Sequence, residues 1–298
     1  MTVHDVVRSA TSCHTRPVTA VVLALLSGLA YGVSDYIGGR ASRTRAPLLI
    51  TLTAEIFLGS ILLVGVPLVE QSGPGDLRVW WGTVGGVCGT LGVLGLYRAL
   101  STGSMTVIAP ITGVVAAVVP VGAGFALGER PALGVTIGVI VAIVAVALVG
   151  GIVGALHEPV APRTLATAAV VGALFGLLFV AFSRTGETGL WPLLTARAGS
   201  MPALVGFYLI ARRRHRVARL DSSTVVPGLT VGVLIAFANG LYLLSTREGL
   251  LAVVAVLVSL YPAATVGLAM VIDHERATRW QVAGMVLAVA GVALITMS

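Results

Sequence analysis

The 298-residue chain has little charge, no lysine and almost no cysteine. Only 10% of its residues are charged, and its mean hydropathy is +1.00. A soluble domain carries about 25% charged residues, so there are too few polar groups here to cover a water-facing surface. That scarcity excludes a soluble enzyme, a disordered chain and a nucleic-acid-binding domain. All nineteen basic residues are arginine, which keeps its charge even inside a membrane. The two cysteines form no disulfide framework: Cys13 lies in the polar N-terminal tail and Cys88 in an apolar run. Cys13-His14 is adjacent, but neither cysteine has metal-ligand spacing with a histidine, so no metal site is expected. His4, His14, His157, His215 and His274 lie in tails or loops and form no triad or zinc pattern. Gly122-x-Gly124 has no preceding strand and no following Gly-Lys-Ser/Thr, so no nucleotide loop and no cofactor is expected.

What the chain has instead is hydrophobic length: 57% of its residues are apolar. A spanning helix needs about 20 apolar residues, so ten would use about 200 of the chain. The first run covers 18–38, after Arg16-Pro17. It resembles a secretory h-region, but no clean small-x-small cleavage site appears and nine more runs follow, so it reads as a spanning helix. The others fall near 46–68, 79–101, 104–127, 132–155, 164–183, 189–211, 224–246, 249–272 and 279–297. Lipid offers backbone groups no partner, so these are helices and not open strands. The loops are too short for a soluble domain. The fold class is therefore an all-α polytopic membrane protein with ten transmembrane helices, and its localisation the cell membrane.

The chain also repeats itself. Glu129-Arg130 recurs 146 residues later as Glu275-Arg276, and Gly138 recurs as Gly284. Val146-Ala147-Leu148 recurs as Val292-Ala293-Leu294. Gly28-Leu-Ala-Tyr31-Gly32 matches Gly172-Ala-Leu-Phe175-Gly176 at an offset of 144. The reading is two five-helix halves, 1–156 (with the N-terminal tail) and 157–298. Five is odd, so the second half enters the membrane in the opposite sense. Inverted repeats of this kind are a mark of secondary transporters, which bind their substrate near the midplane.

Gly128-Glu129-Arg130-Pro131 followed by Gly138, and Pro262, Glu275-Arg276, Gln281 and Gly284 in the second half, resemble the drug/metabolite transporter superfamily, in its EamA-type branch. Tyr97-Arg98-Ala99-Leu100 and Ala109-Pro110 resemble its third and fourth helices. The resemblance spans about 18–297. The chain departs from the usual pattern in its first helix, with Tyr31-Gly32 for a common Trp-Gly and Ser34-Asp35-Tyr36 in place of a lysine. The resemblance implies export of amino acids or similar amphipathic metabolites, by alternating access and with termini inside.

A few polar residues fall where lipid should exclude them. Glu55 lies near the middle of its run and must face a cavity, find a partner or take up a proton. It is either a proton carrier or a carboxylate tied to neighbouring helices. Asp35 shares a helix face with Tyr31 and is either a substrate-amine or proton site, or an interfacial partner of Arg40 or Arg43. Arg98 binds a substrate carboxylate, snorkels to headgroups, or pairs with Glu55 or Asp35. Arg197 has the same options unless its helix starts later. Asn239 and Tyr242 need partners, from substrate or from a neighbouring helix. Tyr31, Tyr97 and Tyr242 are candidates for an aromatic lining. Tyr261-Pro262 either breaks its helix and bares carbonyls or only kinks it.

Glu129, Arg130, Gly138, Glu275, Arg276 and Gly284 read as structural turn motifs, with each glutamate capping a helix start. The expected partners are thus a small-molecule substrate, the lipid bilayer and protons. Efflux of cationic aromatic drugs is a second reading. A membrane enzyme for a lipid-linked substrate would need a convergent acid, base or metal set, which the sequence does not offer. A scaffold would not need Glu55. Arg212, Arg213, Arg214, Arg216 and Arg219, with Arg40, Arg43 and Arg45, mark one membrane side as cytoplasmic by the positive-inside rule. That puts the termini outside, the reverse of what the resemblance implies.

Overall fold

The computed structural model describes residues 3–42, 44–70, 75–102, 105–151, 153, 161–213, 222–274 and 276–297. Side chains are described from residue 18 onward, without 97–110 and 222–223. The boundary expected at 156/157 and the residues Glu275, Arg43, Arg214, Arg216 and Arg219 lie outside the described residues.

The helices are α1 (Val3–Ser42), α2 (Pro47–Val69), α3 (Trp81–Thr102), α4 (Met105–Ala126) and α5 (Leu133–Gly150) in the first half. The second half has α6 (Pro162–Ser183), α7 (Trp191–Arg213), α8 (Ser222–Glu248), α9 (Leu251–Val258), α10 (Tyr261–Ile272) and α11 (Arg279–Met297). Among the described residues nine spans are long and apolar enough to cross a membrane, and α9 with α10 counts as one of them. The tenth apolar run falls on the 22-residue α4, whose counted apolar stretch, Ile111–Ala126, is shorter. The protein is an all-α polytopic membrane protein. Local chemistry sets several ends. Proline opens α2 and α6, where the missing N–H is not needed. Gly151, left-handed at φ 91°, closes α5.

Two expectations change. The N-terminal tail is part of α1, a helix of 40 residues. The 249–272 run is two helices: α9 stops at Val258 and α10 starts at Tyr261. Pro262 has no N–H for the Val258 carbonyl, which ends the ladder there.

The packing follows an inverted two-fold pattern. Helix α1 packs on α8 and α9, as α6 packs on α3 and α4. Helix α2 packs on α8 as α7 packs on α3, and α5 pairs with α11. The pattern holds residue by residue. A Cβ at Gly28 would lie 3.0 Å from the Val258 carbonyl oxygen, and one at Gly172 2.6 Å from that of Thr112. On the α5–α11 seam, a Cβ at Gly138 would lie 2.7 Å from Ile295, and one at Gly284 2.7 Å from the Val149 nitrogen. Val149 and Ile295 are themselves 146 residues apart in sequence. Gly138 and Gly284 are therefore close-approach residues inside helices, not turn residues. Gly138→Val and Gly284→Val should each cost about 1–3 kcal/mol by overpacking. The check is the thermal midpoint of purified protein in detergent. Unchanged midpoints in both variants would mean the seam is not closed.

Candidate functional site

The two ends of the bundle are built differently. At one end, two carboxylates bolt loops of the two halves together through backbone groups, and Arg247 ties the end of α8 to the 186–189 turn within the second half. The Glu70 carboxylate accepts the Leu190 N–H at 2.8 Å, at the start of α7. Glu129 accepts the N–H groups of Leu251 at 2.6 Å and Ala252 at 3.0 Å. Arg247 donates to the carbonyls of Gly186, at 3.2 Å, and Gly189. Every residue of α9 is buried behind these contacts. Helix α4 packs along α9, while α10 packs on α1 and α5 and has no buried residue. The other end carries Arg40, Arg45, Arg212 and Arg213. There Asp273 accepts from Arg40 and, at 2.9 Å, from the Tyr36 hydroxyl. A recess of about 350 Å³ at the bolted end is lined by Thr19, Leu23, Glu187, Leu244, Arg247 and Glu248.

Glu129 does cap a helix, but a remote one. It satisfies the open N–H groups of α9, more than 120 residues away in sequence. Arg130 covers the C-terminal carbonyls of Phe125 and Glu129 instead. Arg276 is exposed, and the helix it precedes is capped by the reciprocal Thr278–Gln281 pair. Glu129→Ala should cost about 1–2 kcal/mol, the range for a lost cap, and lower the thermal midpoint. Glu129→Gln keeps one acceptor oxygen and should lose less. Equal midpoints for all three proteins would contradict the assignment.

Between the ends lies a polar cluster from four helices. In α2, Glu55 pairs with Arg197 of α7. The Ser200 hydroxyl donates to the same carboxylate oxygen at 2.8 Å. The two charged side chains are only 14% and 11% exposed. Pairing neutralises both, which makes burial of each charge tolerable. This decides several open readings. Arg197 lies six residues inside α7 and not at its start. Glu55 finds a partner there. The Nε–H of Arg197 is buried without a partner among the described residues. An unpaired buried donor carries a cost of about 1–3 kcal/mol.

Asp35 is the opposite case. Among the described residues it has no hydrogen bond or ion pair, because Arg40 is committed to Asp273. Its direction follows from its neighbours on α1. Ser27, Tyr31 and Gly38 meet α8, while Gly28 and Gly32 meet the α9–α10 break. At 3.6 residues per turn, Asp35 falls between these two sets. Leu26 lies about 180° around the helix from it and is 43% exposed on the lipid stripe with Val22 and Leu29. Asp35 is nonetheless exposed. Asp35 is thus accessible on the side of α1 that faces its neighbouring helices. It lies seven residues before the end of α1 at Ser42, roughly 10 Å along the axis.

Tyr31, one turn deeper, donates to the Asn239 side-chain oxygen at 2.6 Å. It is within electrostatic reach of both Asp35 and Arg197, and Tyr261 is within reach of Asp35. Tyr31 stands edge-on to Phe179 at 6.3 Å. Tyr242 is not a lining residue. It is fully buried, stacks on Phe179 at 4.8 Å and donates to the Phe179 carbonyl at 2.9 Å. Its role is to hold the ring that backs Tyr31. Tyr97 and Arg98 lie on the α3 backbone, but their side chains are outside the described residues. At the α9–α10 break the carbonyls of Val258 and Tyr261 are covered, since they abut Gly28 and Gly32. Sequence reasoning passed over Ser200, Phe179 and Tyr261 as site residues. Only Tyr261, an aromatic before a mid-span proline, carried a signal.

A ten-span inverted repeat with polar side chains converging at mid-span defines a membrane transporter. The chain belongs to the EamA-like transporter family, whose sequence pattern matches residues 18–151 and again 163–297. A solved crystal structure superposes with a TM-score of 0.73 at 16% identity, covering 96% of this chain and 97% of that one. At that identity the likeness is one of fold. No curated protein matches the chain.

Proposed function

We propose that this transporter exports small solutes bearing an ammonium group, amino acids first among them, from the cell across the plasma membrane. The two halves, divided near residue 157, rock about the mid-span cluster. The observation that carries this reading is Asp35, an exposed carboxylate on the inner face of α1 with no ion-pair partner among the described residues. An isolated carboxylate at membrane depth needs a cation, and a substrate ammonium or a proton supplies one. The two compete for the same oxygens, so inward release of a proton and loading of the solute are linked at one group. Glu55, already paired, is not the proton carrier in this scheme. Tyr31 and Asn239 fix the wall beside the carboxylate. Arg98 of α3 belongs to the same proposal as a solute contact. The protein acts as a carrier and not as an enzyme.

Tyr31 and Tyr261, both near Asp35, support a second reading, efflux of aromatic cations, whose charge an aromatic wall favours. Proteoliposomes with a solute panel, with and without a proton gradient, separate the two. Amino acids moving faster with the gradient support the first reading. Movement of lipophilic cations alone supports the second. No gradient-dependent movement of any amine-bearing solute rejects both.

A further inference from the structure

We propose that Arg197 is a carboxylate-binding site, and that Glu55 occupies it as an internal stand-in until a substrate carboxylate arrives. This rests on the proposed function, which it narrows to zwitterions.

The pairing itself points to a displaceable occupant. A guanidinium presents five N–H donors in a planar fork that fits a carboxylate with two parallel bonds. Here Glu55 meets the guanidinium through Nη1, and the buried Nε–H has no partner among the described residues. On the other side, Arg197 and Ser200 both converge on the same Glu55 oxygen. The contact is therefore single-point on both sides, leaving donor capacity that Glu55 does not use. A free carboxylate approaching from the cavity would use that capacity.

The position of the pair gives the exchange a consequence. Glu55 lies on α2 and Arg197 on α7, equivalent helices of the two halves. Their ion pair is a direct link between the halves. A substrate carboxylate that takes Arg197 from Glu55 unfastens that link, and so couples loading to relative movement. The opposite pole is already in place. Tyr31 is within reach of both Arg197 and Asp35. Arg197 and Asp35, a cation and an anion, thus both lie within electrostatic range of one aromatic side chain. An α-amino acid has the complementary pair, its ammonium toward Asp35 and its carboxylate toward Arg197.

Three probes test this in proteoliposomes: leucine, leucine methyl ester and isoamylamine, which share a side chain and an amine. Only leucine has the carboxylate. In the wild type, leucine should compete at least tenfold more strongly than the other two. Glu55→Gln weakens the internal competitor, so its apparent affinity for leucine should rise about tenfold while that for isoamylamine stays put. Arg197→Gln should bring leucine down to the level of isoamylamine. An unchanged leucine-to-isoamylamine ratio in Glu55→Gln overturns the inference, and this arm decides alone if Arg197→Gln does not insert. If isoamylamine moves in wild type and is lost in Asp35→Asn while that ratio never changes, only this inference falls. If wild type moves no probe, the proposed function falls with it.

Discussion

Asp35→Asn should reduce transport of an amine-bearing solute about a hundredfold while the protein still inserts and purifies. Asparagine keeps the size and the hydrogen-bonding oxygen but removes the charge. The loss is that of a charged ammonium–carboxylate contact, about 3 kcal/mol, and every 1.4 kcal/mol is about tenfold. Because Asp35 has no partner among the described residues, nothing structural depends on its charge. The thermal midpoint should therefore hold or rise. That combination separates Asp35 from a structural ion pair, whose removal costs stability first. The transport assay is initial-rate flux in proteoliposomes at matched protein density. Wild-type rates in Asp35→Asn would reject the assignment.

The second large effect is on stability. Arg197→Leu leaves the Glu55 carboxylate buried with only the Ser200 hydroxyl as partner. Breaking a buried pair from one side costs about 3–5 kcal/mol, whereas replacing both members by apolar groups is often neutral. Arg197→Leu alone should thus fall sharply in thermal midpoint and in yield. Glu55→Leu combined with Arg197→Leu should recover most of the loss, yet not transport. Equal stability of the single variant and the wild type would show that the pair is not the mid-span fastener described here.

The repeat and the apolar runs made the architecture legible before any coordinates. Glycines 146 residues apart marked the two halves, because the α5–α11 seam demands the same close approach twice. What they do was not legible: both read as turn residues, since spacing alone does not say which neighbour a missing side chain admits. Glu129 is similar. Its capping chemistry follows from residue type, but its target, the start of α9, is set by tertiary packing. Glu55 stood out because a carboxylate in an apolar run is costly, yet its partner on α7 lies 142 residues away. No local pattern names such a partner. Asp35 shows the reverse limit. Arg40 and Arg43 close by made a local ion pair the natural alternative, and only the fold shows Arg40 turned to Asp273. Tyr242 belonged to the site by composition and to the core by position, because its hydroxyl meets the Phe179 carbonyl and not the cavity.

The central claim is that Asp35 lines a water-filled cavity open at the arginine-rich end and sealed at the end bolted by Glu70, Glu129 and Arg247. Labelling an Asp35→Cys variant with a membrane-impermeant maleimide tests it most directly, in a background with Cys13 and Cys88 replaced. Arg213→Cys and Glu187→Cys serve as references for the two ends. The prediction is that position 35 labels from the same side as position 213 and not from the side of position 187, and the side found also fixes the membrane orientation. Labelling only by a lipid-soluble reagent, or from the side of position 187, would contradict it.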